Sequence, residues 1–516
     1  MLSAASSHLG RGPLEAMEAQ YPKFLLYGLL ILGSWLISCL LHFQFLHIYL
    51  LSANPNSGAA FHVVLPRSVP IALNVSFLPP APSPVGPDQD GALALPPAPS
   101  SASCEGRYVH MLDVPSRFDV LGGCAEGSPA FQDEGSMCSL MVNAGMGPEL
   151  PPATGNGSDG DTGVIPNTGW YNTNQYALEV IVHNRMRLYE CLTDDPAAAT
   201  AVYVPYYPGL ELQQHLCDRN FTVRNSLSSE FLQWLSSRPQ WAAFGGRDHF
   251  MVAAKTNWMF RQSAAVKCGN DFLDHPESRN MTVLTYESNA WKPLDFAVPY
   301  PSYFHPTSAG EVAGWQERAR AAERPWLFTF AGAPRANGML VIRDRIIDSC
   351  TSSSRCRLVD CSHDKTCKSP RRVVSAFAAS RFCLQPNGDS YMRRSSVDSV
   401  MAGCIPVFFH EASTFKKQYR WHHPEPDSSD GEERRYWVLI DPDELLEGKV
   451  DIEEVLARHT DEEVAAMREE VIKMIPRFLY EDSRVRFEGD MRDAFDVSFD
   501  EVMGRMRRIK NGQDLG

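Results

Sequence analysis

Residues Arg381 to Phe409 read RFCLQPNGDSYMRRSSVDSVMAGCIPVFF, which parses as strand, tight loop, basic helix, glycine stop and second strand. Arg381–Gln385 is short and apolar, Pro386 ends it, and Asn387-Gly388-Asp389 is turn chemistry. Ser390–Ala402 carries helix-forming residues with Arg393 and Arg394 in its first turns; Gly403 closes the helix, and Ile405–Phe409 suits a buried strand. Such a loop aims backbone N–H groups and the positive end of a helix at whatever lies above it, so an anion is its natural occupant. Gly388, Asp389 and Ser390 form the approach, and two guanidiniums add donors matched to phosphate oxygens. Successive helix positions lie about 100° apart, so one arginine of the pair is expected to face the anion directly. The plain alternative is an ordinary turn with Asp389 as N-cap and two solvated arginines.

Around this stretch the pattern alternates. Before it, Trp326–Ala331 reads as a strand running into Gly332-Ala333-Pro334-Arg335, Met339–Cys350 as a helix, Arg357–Val359 as a strand and Arg371–Ala379 as a helix. After it, Tyr436–Ile440 is a further strand. Thr460 with Glu463 makes a capping box for a helix whose stripe is Val464, Met467, Val471 and Met474, and Pro476 is expected to stop it. A segment from Phe495 to Ile509 is expected to pack back across the interface. Nearer the N-terminus, strands at Arg107–Leu112, Ala201–Pro205, His249–Ala254 and Met281–Tyr286 alternate with helices at Asn174–Cys191 and Ser226–Leu235, while Gly122–Gly163 reads as a long loop. Ala297–Pro306, AVPYPSYFHP, has the character of a crossing between domains. The expectation is α/β: two units with mostly parallel sheets, residues 104–306 and 307–475, enclosing a cleft beyond the strands' carboxyl ends, with 476–516 helical.

Composition sets the compartment. The 516 residues are 44% hydrophobic and 21% charged, ordinary for a globular body, and the net charge of −14 argues against a nucleic-acid partner. Residues 24–51 contain no Lys, Arg, Asp or Glu and exceed the roughly 20 residues needed to span a bilayer. Residues 1–23 are then a cytosolic tail, with Arg11 and Lys23 before the span, and the Pro/Ala/Ser-rich residues 52–103 a stem. Of 13 cysteines, Cys39 lies in the span and twelve follow it, an even number suited to an oxidising lumen. Sequons at Asn74, Asn156, Asn220 and Asn280 agree with that side. Cys350, Cys356, Cys361 and Cys367 are spaced for a disulfide-pinned loop rather than a zinc site, and Cys383 and Cys404 are expected as buried thiols.

An anchored two-lobed body with a phosphate-directed loop suggests a transferase using a nucleotide sugar, whose diphosphate leaving group needs positive charge. Three Asp-x-Asp triplets could bring a metal. Asp88-Gln-Asp90 and Asp159-Gly-Asp161 follow no strand, and Asp441-Pro-Asp443 reads as the cap and first turn of a helix. Arg335, Arg393 and Arg394 are therefore the preferred counter-charges, with no metal expected. The base that deprotonates the acceptor hydroxyl should project from the first lobe; Asp113, Asp248 and His249 are the candidates. Tyr206, Tyr207 and Trp258 are candidate stacking surfaces for an acceptor sugar. A catalytically silent scaffold partnering another transferase is the rival from a different class.

WYNTNQYALEVIVHNRMRLYE at Trp170–Glu190, VYVPYYPG at Val202–Gly209, GRDHF at Gly246–Phe250, Ala297–Pro306, LFTFAGAPR at Leu327–Arg335 and Phe382–Phe409 together resemble the plant xyloglucan galactosyltransferases, among the exostosin-like proteins of glycosyltransferase family 47. The resemblance runs from about Cys104 to the C-terminus. It implies a GT-B fold of two Rossmann-like lobes, inverting transfer without an essential metal, UDP-galactose as donor, xyloglucan as acceptor, and a Golgi type II membrane protein able to join other wall glycosyltransferases. In such proteins the segments FCLQPNGDS and RRS belong to the nucleotide-sugar lobe. Relatives in the family also transfer arabinofuranose, galacturonic acid or glucuronic acid. Departures in this chain, the long Gly122–Gly163 stretch, Ser396-Val397 where an aromatic is usual before Asp398, and the acidic Asp427–Glu433, bear on donor and acceptor specificity.

Overall fold

The computed structural model describes residues 104–124, 136–152, 164–289, 295–334, 341–362, 367, 369–424 and 435–513. The expected tail, span and stem, Asn74, Asn156, Arg335, the Asp88 and Asp159 triplets and the Asp427–Glu433 segment lie outside these residues.

Ten strands form two all-parallel five-stranded sheets among the described residues. The first holds β1 (Val109–Met111), β2 (Ala201–Tyr203), β3 (His249–Val252), β4 (Thr282–Thr285) and β5 (Phe296–Ala297), side by side in chain order. Alternation along the strands sorts the side chains between its faces. Ala201, Tyr203, Phe250, Val252 and Leu284 point into one cluster with helix α1 (Leu178–Arg187), while Val202, Val204, Met251, Ala253 and Val283 point into another with α2 (Pro208–His215) and α3 (Phe221–Ser236). Both faces are covered, which is why these strands read as continuous apolar runs.

The second sheet holds β6 (Trp326–Gly332), β7 (Cys356–Asp360), β8 (Ser380–Gln385), β9 (Ile405–Phe408) and β10 (Val438–Leu439) in the order β10-β9-β8-β6-β7. After β7 the chain crosses to the other side of β6, so the order reverses between β6 and β8. That is a topological switch point, where α/β sheets open a crevice at their carboxyl ends. The first sheet has no such reversal. Around the second sheet lie α4 (Ala309–Ala321), α5 (Val341–Ser352), α6 (Pro370–Ala378), α7 (Arg394–Met401) and α8 (Asp461–Phe478). Arg324 donates to the carbonyls of Phe377 and Ala402, so one half-buried cation serves the C-terminal ends of both α6 and α7.

Pro476 does not stop α8, which continues to Phe478. The missing proline N–H would orphan the Ile472 carbonyl four residues back, and the Gln316 side-chain amide donates to it at 2.8 Å. The capping box of Thr460 and Glu463 is present. Helix α9 (Ala494–Lys510) returns to the first lobe, with Phe499 against Tyr189 and Phe250. The crossing segment is buried at Val298, Tyr300, Tyr303, Phe304 and His305.

Six disulfides are formed among the described residues: Cys104–Cys191, Cys124–Cys138, Cys217–Cys268, Cys350–Cys356, Cys361–Cys367 and Cys383–Cys404. The last corrects the expectation of buried thiols. β8 and β9 are neighbouring parallel strands, which brings the two α-carbons to 5.9 Å, within bonding reach.

Candidate nucleotide-sugar site between two parallel sheets

Gly332 ends β6 and Gly388 follows β8, so the two glycines flank the switch point of the second sheet. Gly332 is a packing glycine: a Cβ there would stand 2.3 Å from the Phe330 ring. Gly388 is different. A Cβ on it would lie 1.4 Å from Arg393 Nη2, so the Arg393 guanidinium rests directly on the Gly388 backbone. Arg393 Nε is buried and finds no hydrogen-bond partner among the described residues.

Helix α7 begins later than the sequence suggests. Its N-cap is Arg393, not Asp389, and no side chain among the described residues caps it. Residues 386–392 form a loop, with Gly388 N–H donating to the Ser390 carbonyl at 2.9 Å and Ser390 Oγ donating to the Met392 carbonyl at 3.2 Å. Asp389 is exposed at its tip and raises the Tyr176 phenol electrostatically, with burial the larger cause of that rise. Tyr176 belongs to the first lobe, so the tip looks across at that lobe.

The two adjacent arginines are placed differently. Arg394 is committed to packing: Nη1 donates to the Thr173 carbonyl at 2.6 Å, the guanidinium lies 3.6 Å over the Tyr303 ring, and Nε is 3.7 Å from Asp398. Asp398 also accepts from Ser302 at 2.8 Å, and burial holds its carboxyl above the usual range. Arg394 thus fastens the second lobe to the first lobe and the crossing segment, and Arg393 is the arginine presented on the glycine.

In the first lobe the candidate bases separate. Asp248 and His249 stand at the amino end of β3, away from the strands' carboxyl ends. They are buried and bonded to each other at 2.8 Å, with Lys510 Nζ 3.6 Å from Asp248 and the His249 ring packed on Trp241. This pair orders the seat of α9 and is removed from the candidate site. Asp113 is exposed just beyond the carboxyl end of β1.

Three groups at the carboxyl ends escaped the sequence reading. Glu179 accepts the N–H groups of Gly209, Leu210 and Ala254 at 2.6, 3.1 and 2.8 Å, and its burial pushes it up to about 8. Lys255 follows β3 with its ammonium 3.3 Å above the Tyr176 ring and bonded to Gln213; burial lowers it to about 7. Glu287 follows β4 and is buried against the Ser390–Met392 turn. Its position just past a strand was readable by the rule that selected Asp113; its partner in the other lobe was not.

Of the acceptor-side aromatics, Tyr206 is core, stacked on Phe231 at 3.8 Å. Tyr207 hydroxyl is bonded to His183 Nδ1 at 2.6 Å, and Trp258 is half-buried. The described sequons, Asn220 and Asn280, are both exposed. Asp441 caps its helix, accepting the N–H groups of Asp443 and Glu444, and no cluster of His, Cys, Asp or Glu able to hold a metal occurs among the described residues.

The profile of the Exostosin GT47 domain matches residues 103–456. Xyloglucan galactosyltransferase MUR3 of Arabidopsis thaliana is 41% identical over 421 residues, covering 81% of this chain and 65% of that protein. Probable xyloglucan galactosyltransferase GT15 of the same plant is 40% identical over 422 residues, 80% of this chain and 85% of that one. Xyloglucan-specific galacturonosyltransferase 1, also from Arabidopsis thaliana, is 35% identical over 411 residues, 79% and 58% of the two chains.

Proposed function

Because the chain belongs to the exostosin GT47 family, we propose that it is a glycosyltransferase of GT-B type that moves galactose from UDP-galactose to xylosyl side chains of xyloglucan. The observation that carries the reading is the Arg393 guanidinium laid on Gly388 at the carboxyl side of a switch point. A diphosphate in that crevice meets a cation whose Nε has no other partner among the described residues, and the N-terminus of α7.

The reaction we propose is an inverting displacement. A first-lobe carboxylate, for which Asp113 is our candidate, takes the proton of the acceptor hydroxyl. That oxygen attacks the anomeric carbon from the face opposite UDP, and the bond to the β-phosphate oxygen breaks. An α-linked donor thereby gives a β-linked product, and Arg393 offsets the charge that builds on the departing diphosphate. Asp441 is already spent on capping, so the counter-charge is assigned to arginine and helix end, with metal independence part of the proposal. Residues 24–51 would anchor the chain as a Golgi type II membrane protein with the catalytic body lumenal, as a span followed by the six disulfides supports.

The test uses the purified full-length chain with xylosylated oligosaccharides and a panel of UDP-galactose, UDP-galacturonic acid, UDP-glucuronic acid and UDP-arabinofuranose, each with and without EDTA. Galactose transfer that survives EDTA is expected. Transfer from another donor alone rejects the sugar assignment, and loss with EDTA rejects the arginine-based leaving-group account.

A further inference from the structure

Glu287 stands one residue past Tyr286 at the carboxyl end of β4, and its backbone is fixed from three sides. Its carbonyl accepts from Thr285 Oγ1 at 2.8 Å and from Asn257 N–H at 3.3 Å, and the next residue, Ser288, donates its N–H to Gln418 of the second lobe at 2.9 Å. The side chain reaches across the seam into the second lobe. Its Oε2 accepts the N–H of Met392 at 2.7 Å, and the Tyr391 N–H and the Ser390 side chain beside it also favour the charged carboxylate. Met392 itself is 2% exposed, so its N–H has no access to water and needs this acceptor. The turn so held is followed directly by Arg393.

We propose that Glu287 is a positioning residue for the transfer reaction: a first-lobe carboxyl group seats the Ser390–Met392 turn and thereby sets the Arg393 guanidinium on Gly388, fixing the affinity for the donor diphosphate. The idea rests on the functional reading above. It also corrects the loop-based expectation of freely offered N–H groups, since Gly388 N–H closes the loop on Ser390 and Met392 N–H belongs to Glu287.

The seat is sensitive to protonation. Among the described residues, the phenols of Tyr300, on the crossing segment, and Tyr419, in the second lobe, feel the Glu287 charge; burial holds both neutral, and neither supplies a positive charge. Desolvation raises Glu287 to about 7, outweighing the donated bonds. A carboxyl raised by docking favours the docked turn when protonated. The seat is therefore strongest in mild acid and weakens as pH rises through about 7, by about tenfold between pH 6 and 8 when docking limits donor binding.

The experiment measures UDP binding by calorimetry and donor KM and kcat from pH 6 to 8 for wild type, Glu287→Ala and Glu287→Gln, with Tm for each. Amide exchange at residues 390–393 is followed in parallel. Glu287→Ala is expected to raise the UDP Kd and donor KM at least tenfold at pH 6, with kcat at saturation changed less than threefold and exchange at Tyr391 and Met392 accelerated. Glu287→Gln mimics the protonated group, so its donor KM should stay low and flat across the range while that of wild type climbs. Wild-type UDP binding that neither variant alters, or a Gln variant that keeps the wild-type pH dependence, overturns the role of Glu287 alone. Absence of UDP binding by wild type overturns the functional reading and the role of Glu287 with it.

Discussion

Replacing Gly388 with alanine isolates the contact on which the donor site depends. The added methyl would stand 1.4 Å from Arg393 Nη2, 2.3 Å from Cζ and 2.6 Å from Nε, whereas ordinary contact begins at about 3.4 Å. The guanidinium must therefore move by about 2 Å. Gly388 is not among the residues with positive φ, so alanine meets no backbone penalty there, and what gives way is the far end of a flexible side chain. Stability should change by less than about 1 kcal/mol. A charge-assisted hydrogen bond to phosphate contributes about 1.5–3 kcal/mol, so displacing Arg393 should weaken UDP binding by roughly 10- to 150-fold. Calorimetry with UDP on wild type, Gly388→Ala, Arg393→Ala and the double variant forms a complete cycle. If the glycine acts through the arginine, the double variant binds no more weakly than Arg393→Ala. Additive losses, or wild-type affinity in Gly388→Ala, would refute the reasoning.

Other consequences follow from the same geometry. Arg394→Met removes the bond to Thr173, the contact with Tyr303 and the partner of buried Asp398, so it should cost about 3 kcal/mol of stability, read as a fall in Tm. Asp248→Asn should lower Tm through the seat of α9 while leaving kcat within twofold, because the Asp248–His249 pair lies at the wrong end of β3. Asp113→Asn should do the opposite, reducing kcat by about 10²–10⁴ with Tm unchanged, as loss of a general base does; equal kcat in the two variants would remove Asp113 from the mechanism.

Much of the second lobe was legible because its signals are local. The apolar run of β8, the turn residues after it and Gly403, at φ +62° after α7, each act within a few residues. The capping box at Thr460 and the cap at Asp441 were readable for the same reason. Helical geometry alone said that Arg393 and Arg394 diverge, but which one is drawn into packing is decided by Thr173 and Tyr303, 221 and 91 residues before Arg394 in the chain. The late start of α7 has a similar cause: Asp389 is a good cap in isolation, yet Glu287 of the other lobe claims the turn that an earlier helix would have used. Asp248 and His249 looked catalytic because an acid beside a histidine has the right chemistry. Which end of the strand they occupy, and that Lys510 from the chain's last helix closes over them, are tertiary facts. The Cys383–Cys404 bond was hidden because the strand pairing that brings the two residues together is non-local.

The central claim is that Arg393, on its glycine, receives the donor diphosphate. A crystal structure of the protein with UDP tests it most directly. The account predicts β-phosphate oxygens within about 3 Å of the Arg393 guanidinium, with Arg394 still bonded to Thr173. A diphosphate held by Arg394, or bound away from Gly388 altogether, would contradict it.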